Sequence, residues 1–245
     1  MQQQVYADVS DQIMTIRIHN PEMKNGLNWE GIEQLSDCYQ QLLTDQTIRA
    51  AIVTGDEDYF YTGGRVNANV PGEQKKYADA IERYTDLAGK VTTPMVAAVS
   101  GHCLKAGMGM LASCDFAIAR EGVEFGYPEV RMGGVPMMVM VDTVGLLPRK
   151  RALEAYLTSW NFSAQDAYMM GLVNRVVSKQ DFWPTVEKYV RVFLDTPPQL
   201  IEMTRRAYNE LSAMPSRQQR IEFANKMLRD EVLTTMTKIK TEFNV

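Results

Sequence analysis

The sequence predicts an α/β fold with mostly parallel strands and a helical C-terminal region, on three observations. Short apolar segments alternate with amphipathic helical ones between residues 5 and 177. Two of the apolar segments run straight into glycine-bearing loops, residues 58–65 and 100–109. Beyond Asp181 only helical patterns remain, punctuated by Pro197-Pro198 and Pro215. Alternation of strand and helix is the mark of parallel pairing, because parallel strands need a long crossover connection.

Each element has its own reason. Residues 5–18 alternate apolar and polar with a turn at Ser10-Asp11, which predicts a hairpin. Asn28 is suited to cap a helix whose apolar positions Trp29, Ile32, Leu35, Tyr39 and Leu42 keep the spacing of one buried face. The strand at residues 50–54 follows, then a polar stretch and a helix from about Tyr77 to Val91. Further strands are expected at residues 95–99, 116–119 and 123–127. Helices are expected at residues 150–159 and 164–170, with Gly171 closing the second before a strand at 172–177. The organisation expected is a core over residues 1–190 and a helical region over 191–245.

With 45% hydrophobic and 23% charged residues, the 245-residue chain has the composition of a soluble globular protein. No apolar run approaches the roughly 20 residues needed to span a bilayer, and Met1-Gln2-Gln3-Gln4 lacks the basic and apolar parts of an export signal. Cys38, Cys103 and Cys114 have no CxxC spacing and lie in apolar sequence, as inert thiols in a reducing compartment would. A cytoplasmic protein is expected, with no metal, no membrane association and, at a net charge of −4 without a basic run, no nucleic acid as partner.

The chemistry concentrates in the two loops. Asp58-Tyr59-Phe60-Tyr61-Thr62-Gly63-Gly64-Arg65 and Ser100-Gly101-His102-Cys103-Leu104-Lys105-Ala106-Gly107-Met108-Gly109 are both placed to aim backbone N–H groups at one oxygen, which points to acyl chemistry. Glu129 stands in apolar surroundings that would raise its pKa and suit a general base. A surface glutamate after Pro128 is the equally weighted alternative. Gly107-Met108-Gly109 lacks the third glycine of a dinucleotide motif, and neither His19 nor His102 belongs to a nucleophile motif.

In order along the chain, five pieces resemble the crotonase (enoyl-CoA hydratase/isomerase) superfamily. They are His19-Asn20-Pro21-Glu22-Met23-Lys24-Asn25-Gly26-Leu27-Asn28; Phe60-Tyr61-Thr62-Gly63-Gly64; residues 94–115; Phe125-Gly126-Tyr127-Pro128-Glu129-Val130; and residues 164–177. The resemblance implies a crotonase-like spiral of ββα repeats and a C-terminal region that builds a homotrimer or a dimer of trimers. It also implies an acyl thioester of coenzyme A or of a carrier protein as ligand, with no cofactor beyond coenzyme A as part of the substrate. It places the oxyanion hole on the N–H groups of Gly64 and Ala106 and the base on Glu129. Met23, Lys24 and Gly26, with Thr62 and Gly63, would line the ligand's path, and Lys24 would meet phosphate or adenine unless it is a solvated surface charge. Lys238, Lys240 and Phe243 would be contacts from a neighbouring subunit. Met132, Met137, Met138 and Met140 are candidate linings of an acyl pocket, or core filler.

Departures from the family pattern bear on the reaction. Hydratases of the family hold water between two glutamates, and the matching positions here are Gly109 and Glu129. With one carboxylate missing, a double-bond isomerase is expected first; a hydratase or related lyase or decarboxylase is the alternative, and a catalytically silent acyl-CoA-binding oligomer the last. Arg65 and Lys105 are unexpected cations near the acyl end, expected to point outward or else to pair with a carboxylate on an unusual acyl group.

Overall fold

The structure is a computed structural model that describes residues 2–67 and 69–243, with side chains to residue 239. Lys240 and Phe243, expected as subunit contacts, lie outside the described side chains. The chain divides into two compact units, Met1–Arg191 and Val192–Val245.

The first unit opens with β1 (Val5–Ser10) and β2 (Ile13–Ile18), an antiparallel hairpin in which Ser10 faces Ile13. Its turn falls one residue later than expected, on Asp11 and Gln12, which take φ 50° and 65°. Positive φ at both central residues matches the right-handed twist of the flanking strands. Alternation then turns Met14, Ile16 and Ile18 into the core, each fully buried. In α1 (Trp29–Thr44) the side chain of Asn28 accepts a hydrogen bond from Gly31 N, and Ile32, Leu35, Tyr39 and Leu42 are buried. The cap is the one the sequence predicts, and so is the stripe except at Trp29, the first residue of the helix, which is only half-buried.

Two strands and a helix then recur three times. The first set is β3 (Ala50–Thr54), β4 (Tyr59–Tyr61) and α2 (Glu73–Lys90); the second is β5 (Met95–Val99), β6 (His102–Leu104) and α3 (Ala106–Ser113). The third is β7 (Phe116–Arg120), β8 (Glu124–Gly126) and α4 (Met137–Thr143), with a 3-10 turn at Val130–Met132 between strand and helix. After these come α5 (Arg149–Thr158), β9 (Phe162–Ser163), α6 (Ala164–Met169), β10 (Arg175–Val177) and α7 (Phe182–Asp195).

The first strand of each set enters a six-stranded sheet, β1-β2-β3-β5-β7-β10, and the second enters a four-stranded sheet, β4-β6-β8-β9. Apart from the hairpin and the β8–β9 pair, neighbours run parallel. β3 and β5 are buried at every residue, as parallel strands covered on both faces must be. The strand expected at 172–177 shrinks to three residues. Gly171, at φ 82°, closes α6 with Leu172 N donating to Ala167 O, so Leu172 and Val173 plug the core before pairing starts.

The second unit contains α8 (Pro198–Ala213), α9 (Arg217–Met227), a π turn at Leu228–Val232 and α10 (Leu233–Phe243). Ser216 and Gln219 form a reciprocal capping box at the start of α9. No residue of α8 is buried.

Candidate active site

Three parallel strands of the smaller sheet deliver the expected site residues to one edge. Tyr61 pairs with Cys103 and Leu104 with Gly126, so β4, β6 and β8 end side by side. Gly64 and Ala106 each follow three residues beyond a member of the first pair, and Glu129 three residues beyond Gly126. The exits of parallel strands are where loops can converge on a ligand.

Gly64 is held by a bridge to Leu27. Leu27 N donates to Gly63 O and Arg65 N donates to Leu27 O, so the bonds on that side are made by its neighbours. The N–H of Gly64 itself forms no hydrogen bond among the described residues, and the same holds for Ala106, the first residue of α3. The two loops touch: a Cβ on Gly63 would lie 3.3 Å from Ala106 N, and Gly63 takes φ 84°. Gly64 is closed over by α2, where a Cβ would run into the hydroxyl oxygen of Tyr77. Tyr77 was not singled out by the sequence, in which it reads only as the start of a helix.

Lys105 caps α3 with φ 54° and ψ −126°. A non-glycine residue held there carries strain of about 1–3 kcal/mol, and such strain gathers at functional sites. Its half-buried ammonium has a lowered pKa, chiefly because burial disfavours the charge, with Arg65 adding repulsion and Glu129 opposing the shift. Arg65 itself turns to the neighbouring loop, donating to Met23 O at 3.0 Å and to Thr62 Oγ1 at 3.2 Å, and its side chain covers Gly26 so closely that a Cβ there would collide with it.

That loop is wired from within. The Asn25 side chain accepts from Asn20 N and donates to Ile18 O and Tyr59 O, and Asn20 donates to Gly26 O. Lys24 and Asn25 both take left-handed φ near 54°. Thr62 Oγ1 donates to Lys24 O, leaving the Lys24 side chain exposed beside the Tyr59 ring, 5.8 Å from its centroid, and Met23 exposed.

Glu129 begins the 3-10 turn, its backbone oxygen accepting from Met132 N and Gly134 N. Its Oε2 is buried without a hydrogen-bond partner, and burial raises the carboxyl pKa above the ordinary carboxylate value, with Lys105 pulling the other way. Ionised, such a group is a strong proton acceptor. The surface-glutamate alternative does not fit a buried oxygen.

Beside Ala106 opens a cavity of about 320 Å³ between α2, α3 and α4. Ile81, Tyr84, Met110, Met138 and Val139 supply apolar walls, and Asp142 adds a carboxylate that the sequence reading passed over. Met132 and Met137 are not among the lining residues and are 64% exposed each. Met132 lies in the turn after Glu129 and Met137 is the first residue of α4, ahead of the stretch that faces α3. Another cavity, about 530 Å³ and lined by α5, β9 and α6, holds neither Glu129 nor either loop. Among the described residues no cluster of His, Cys, Asp or Glu suits a metal, and no helix is long and apolar enough to cross a membrane. Cys38 and Cys103 are buried, and burial raises the Cys38 thiol to about 11.

Fold and site define a class: paired-sheet ββα proteins in which two glycine loops and one buried carboxylate meet at the ends of parallel strands. Residues 8–241 match the family model described as enoyl-CoA hydratase/isomerase. The chain belongs to that family. It is 26% identical over 211 residues to a probable enoyl-CoA hydratase, echA8, of Mycobacterium leprae, covering 84% of this chain and 80% of the relative. It is 25% identical to the crotonyl-CoA hydratase of Syntrophomonas wolfei, covering 84% and 81%. Human enoyl Coenzyme A hydratase domain-containing protein 3 shares the fold at a TM-score of 0.85 and 20% identity, over 93% of this chain and 91% of that one.

Proposed function

We propose that this protein transforms an acyl-CoA thioester, or the equivalent carrier-protein thioester, through an enolate. The N–H groups of Gly64 and Ala106 receive the thioester oxygen as the α-carbon gains negative charge, and Glu129 moves the proton at that carbon. The observation that carries the reading is the buried, unpartnered Glu129 Oε2 beside two loops whose N–H groups lack partners. Each such donor contributes on the order of 100- to 1000-fold in rate. Lys24 and the Met23–Gly26 loop meet the nucleotide end, and Thr62 and Gly63 hold the two loops in place.

Glu129 alone can run a double-bond shift, taking the proton from the α-carbon of a 3-enoyl thioester to form the enolate and returning it at the γ-carbon. Hydration is the second reading, favoured by a specific observation: the Asp142 carboxylate stands where Gly109 brings none. The named relatives are hydratases. The assembly proposed is a homotrimer or a dimer of trimers in the cytoplasm, supported by α8, which carries Leu200, Ile201, Met203 and Leu211 yet buries no residue.

The test is Glu129→Gln against 2-enoyl- and 3-enoyl-CoA thioesters of graded length. Turnover is expected to fall about 100- to 10,000-fold, and turnover equal to the parent's removes the base assignment. The pH profile checks the same group. Where Glu129 acts first as base, in the double-bond shift and in exchange of the α-hydrogen, it must be ionised, so those rates climb as pH rises through its raised pKa. Stability moves oppositely: the folded state holds this proton more tightly than the unfolded one, so stability declines between the ordinary carboxylate value and the raised one. Glu129→Gln removes that decline.

A further inference from the structure

We infer that Asp142 is a second catalytic carboxylate, delivered from α4 into the space beside Gly109, where it takes a proton from a water adding to the β-carbon of an α,β-unsaturated acyl thioester. The inference rests on the acyl-thioester reading and decides between its two reactions in favour of hydration.

Three observations carry it. Asp142 shares one cavity wall with Ala106, the second N–H donor, and with Gly109. Its Oδ2 lies 3.4 Å from where a Cβ on Gly109 would be, about as far as a glutamate's own carboxylate oxygen stands from its Cβ. The carboxylate thus lies within the reach of a glutamate side chain at position 109, and a longer side chain there would compete with it for the space. Gly109 follows Ala106 by three residues, roughly 4.5 Å along the helix, which sets the carboxylate about one turn of α3 from the donor.

The second observation is that Asp142 has no hydrogen-bond or ion-pair partner among the described residues, and burial is the sole cause of its raised pKa. The third is that the two aliphatic hydroxyls at that wall, those of Thr85 and Ser113, are spent on their own helices, while Tyr61 and Tyr84 bring phenols to the same wall, Tyr84 standing near Asp142. Thr85 Oγ1 donates to Ile81 O and Ser113 Oγ to Met110 O. Asp142 is exposed on one side and borders a mostly apolar cavity on the other, and no hydrogen bond or ion pair among the described residues accounts for its place there.

The step balances. A lone pair of the water oxygen forms the bond to the β-carbon while Asp142 accepts one water proton. The electrons of the carbon–carbon double bond move through the α-carbon onto the thioester oxygen held by Gly64 and Ala106. The enolate then collapses, and protonated Glu129 gives its proton to the α-carbon. Asp142 ends protonated and Glu129 ionised, and exchange with bulk water through the open side of Asp142 restores both.

The test compares the parent chain with Asp142→Asn in two assays. One follows hydration of straight-chain 2-enoyl-CoA thioesters by loss of the enoyl absorbance. The other follows deuterium exchange at the α-carbon of the matching saturated acyl-CoA, which needs only Glu129 and the two N–H groups. Hydration is expected to fall at least about 100-fold while α-exchange stays within about threefold. Gly109→Glu in the D142N background is expected to regain at least about tenfold of the lost hydration, by supplying the carboxylate from α3. Hydration within about threefold of the parent in Asp142→Asn overturns the inference, as does a parent that exchanges the α-hydrogens yet hydrates no thioester. A parent that does neither overturns the acyl-thioester reading itself.

Discussion

The two sheets of the first unit divide its labour. In the six-stranded sheet β3 and β5 are five residues long and buried throughout, and their side chains pack or, at Thr54, bond the neighbouring strand's backbone. In the four-stranded sheet β4, β6 and β8 are three residues long, and each serves mainly to aim the loop that leaves it. Long buried strands resist substitution through lost packing, whereas short aiming strands resist it through misplaced backbone. The difference teaches that chemistry and stability in this chain respond to different substitutions, even though both sheets arise from the same ββα repeat.

The sharpest way to break that division is Gly64→Ala. The new methyl meets the Tyr77 hydroxyl oxygen and pushes the loop away from Ala106. Turnover is expected to fall on the order of 100- to 1000-fold, the effect of losing one backbone donor, with far-ultraviolet circular dichroism unchanged. Turnover within about tenfold of the parent would sink the assignment of this N–H. A second substitution, Tyr77→Ala, removes the obstacle and is expected to restore part of the rate, which separates a displaced donor from a collapsed loop.

The opposite substitution lies in the larger sheet. Ile16 is fully buried on β2 and has no part in the site. Ile16→Ala is expected to cost about 2–5 kcal/mol in urea unfolding, from lost burial and the cavity left behind. The folded fraction should keep the parent's turnover. A folded Ile16→Ala protein with impaired catalysis would show that the sheets are not independent in the way argued above.

The same division explains what could be read in advance. The six-stranded sheet was legible because its strands are apolar runs bounded by turns, and α1 was legible because Asn28 and the Ile32–Leu35–Tyr39–Leu42 stripe agree. β6 was read only as part of a glycine loop, since three residues with no alternation carry no period. Its place follows from pairing with Tyr59 and Tyr61 on one side and Phe125 on the other, which is information from outside the segment. The order of family motifs singled out Gly64, Ala106 and Glu129, which the fold carries just beyond the ends of β4, β6 and β8. Tyr77 and Asp142 were not singled out, because each comes near those loops from a different helix and no local pattern marks a tertiary contact. The acyl lining was sought among Met132, Met137, Met138 and Met140, of which Met138 borders the cavity beside Ala106, together with Val139 and Asp142.

The smallest effect is expected at Met132, and it sharpens the comparison by marking where the aiming function of the smaller sheet stops. Met132 is only three residues past Glu129, yet the 3-10 turn sends its side chain outward, 64% exposed. What the turn contributes to Glu129 is backbone: Met132 N and Gly134 N bond the Glu129 carbonyl oxygen at 2.9 and 2.8 Å. Met132→Ala keeps both bonds and removes only exposed atoms. Stability should stay within about 0.5 kcal/mol of the parent, as at other surface positions, and kcat/KM across the thioester panel within about twofold. Met132→Pro deletes the first of those N–H donors and should cost turnover, because the carboxylate it helps to place would shift. A tenfold loss in kcat/KM from the alanine change, confined to the longer thioesters, would instead put the Met132 side chain against the acyl chain.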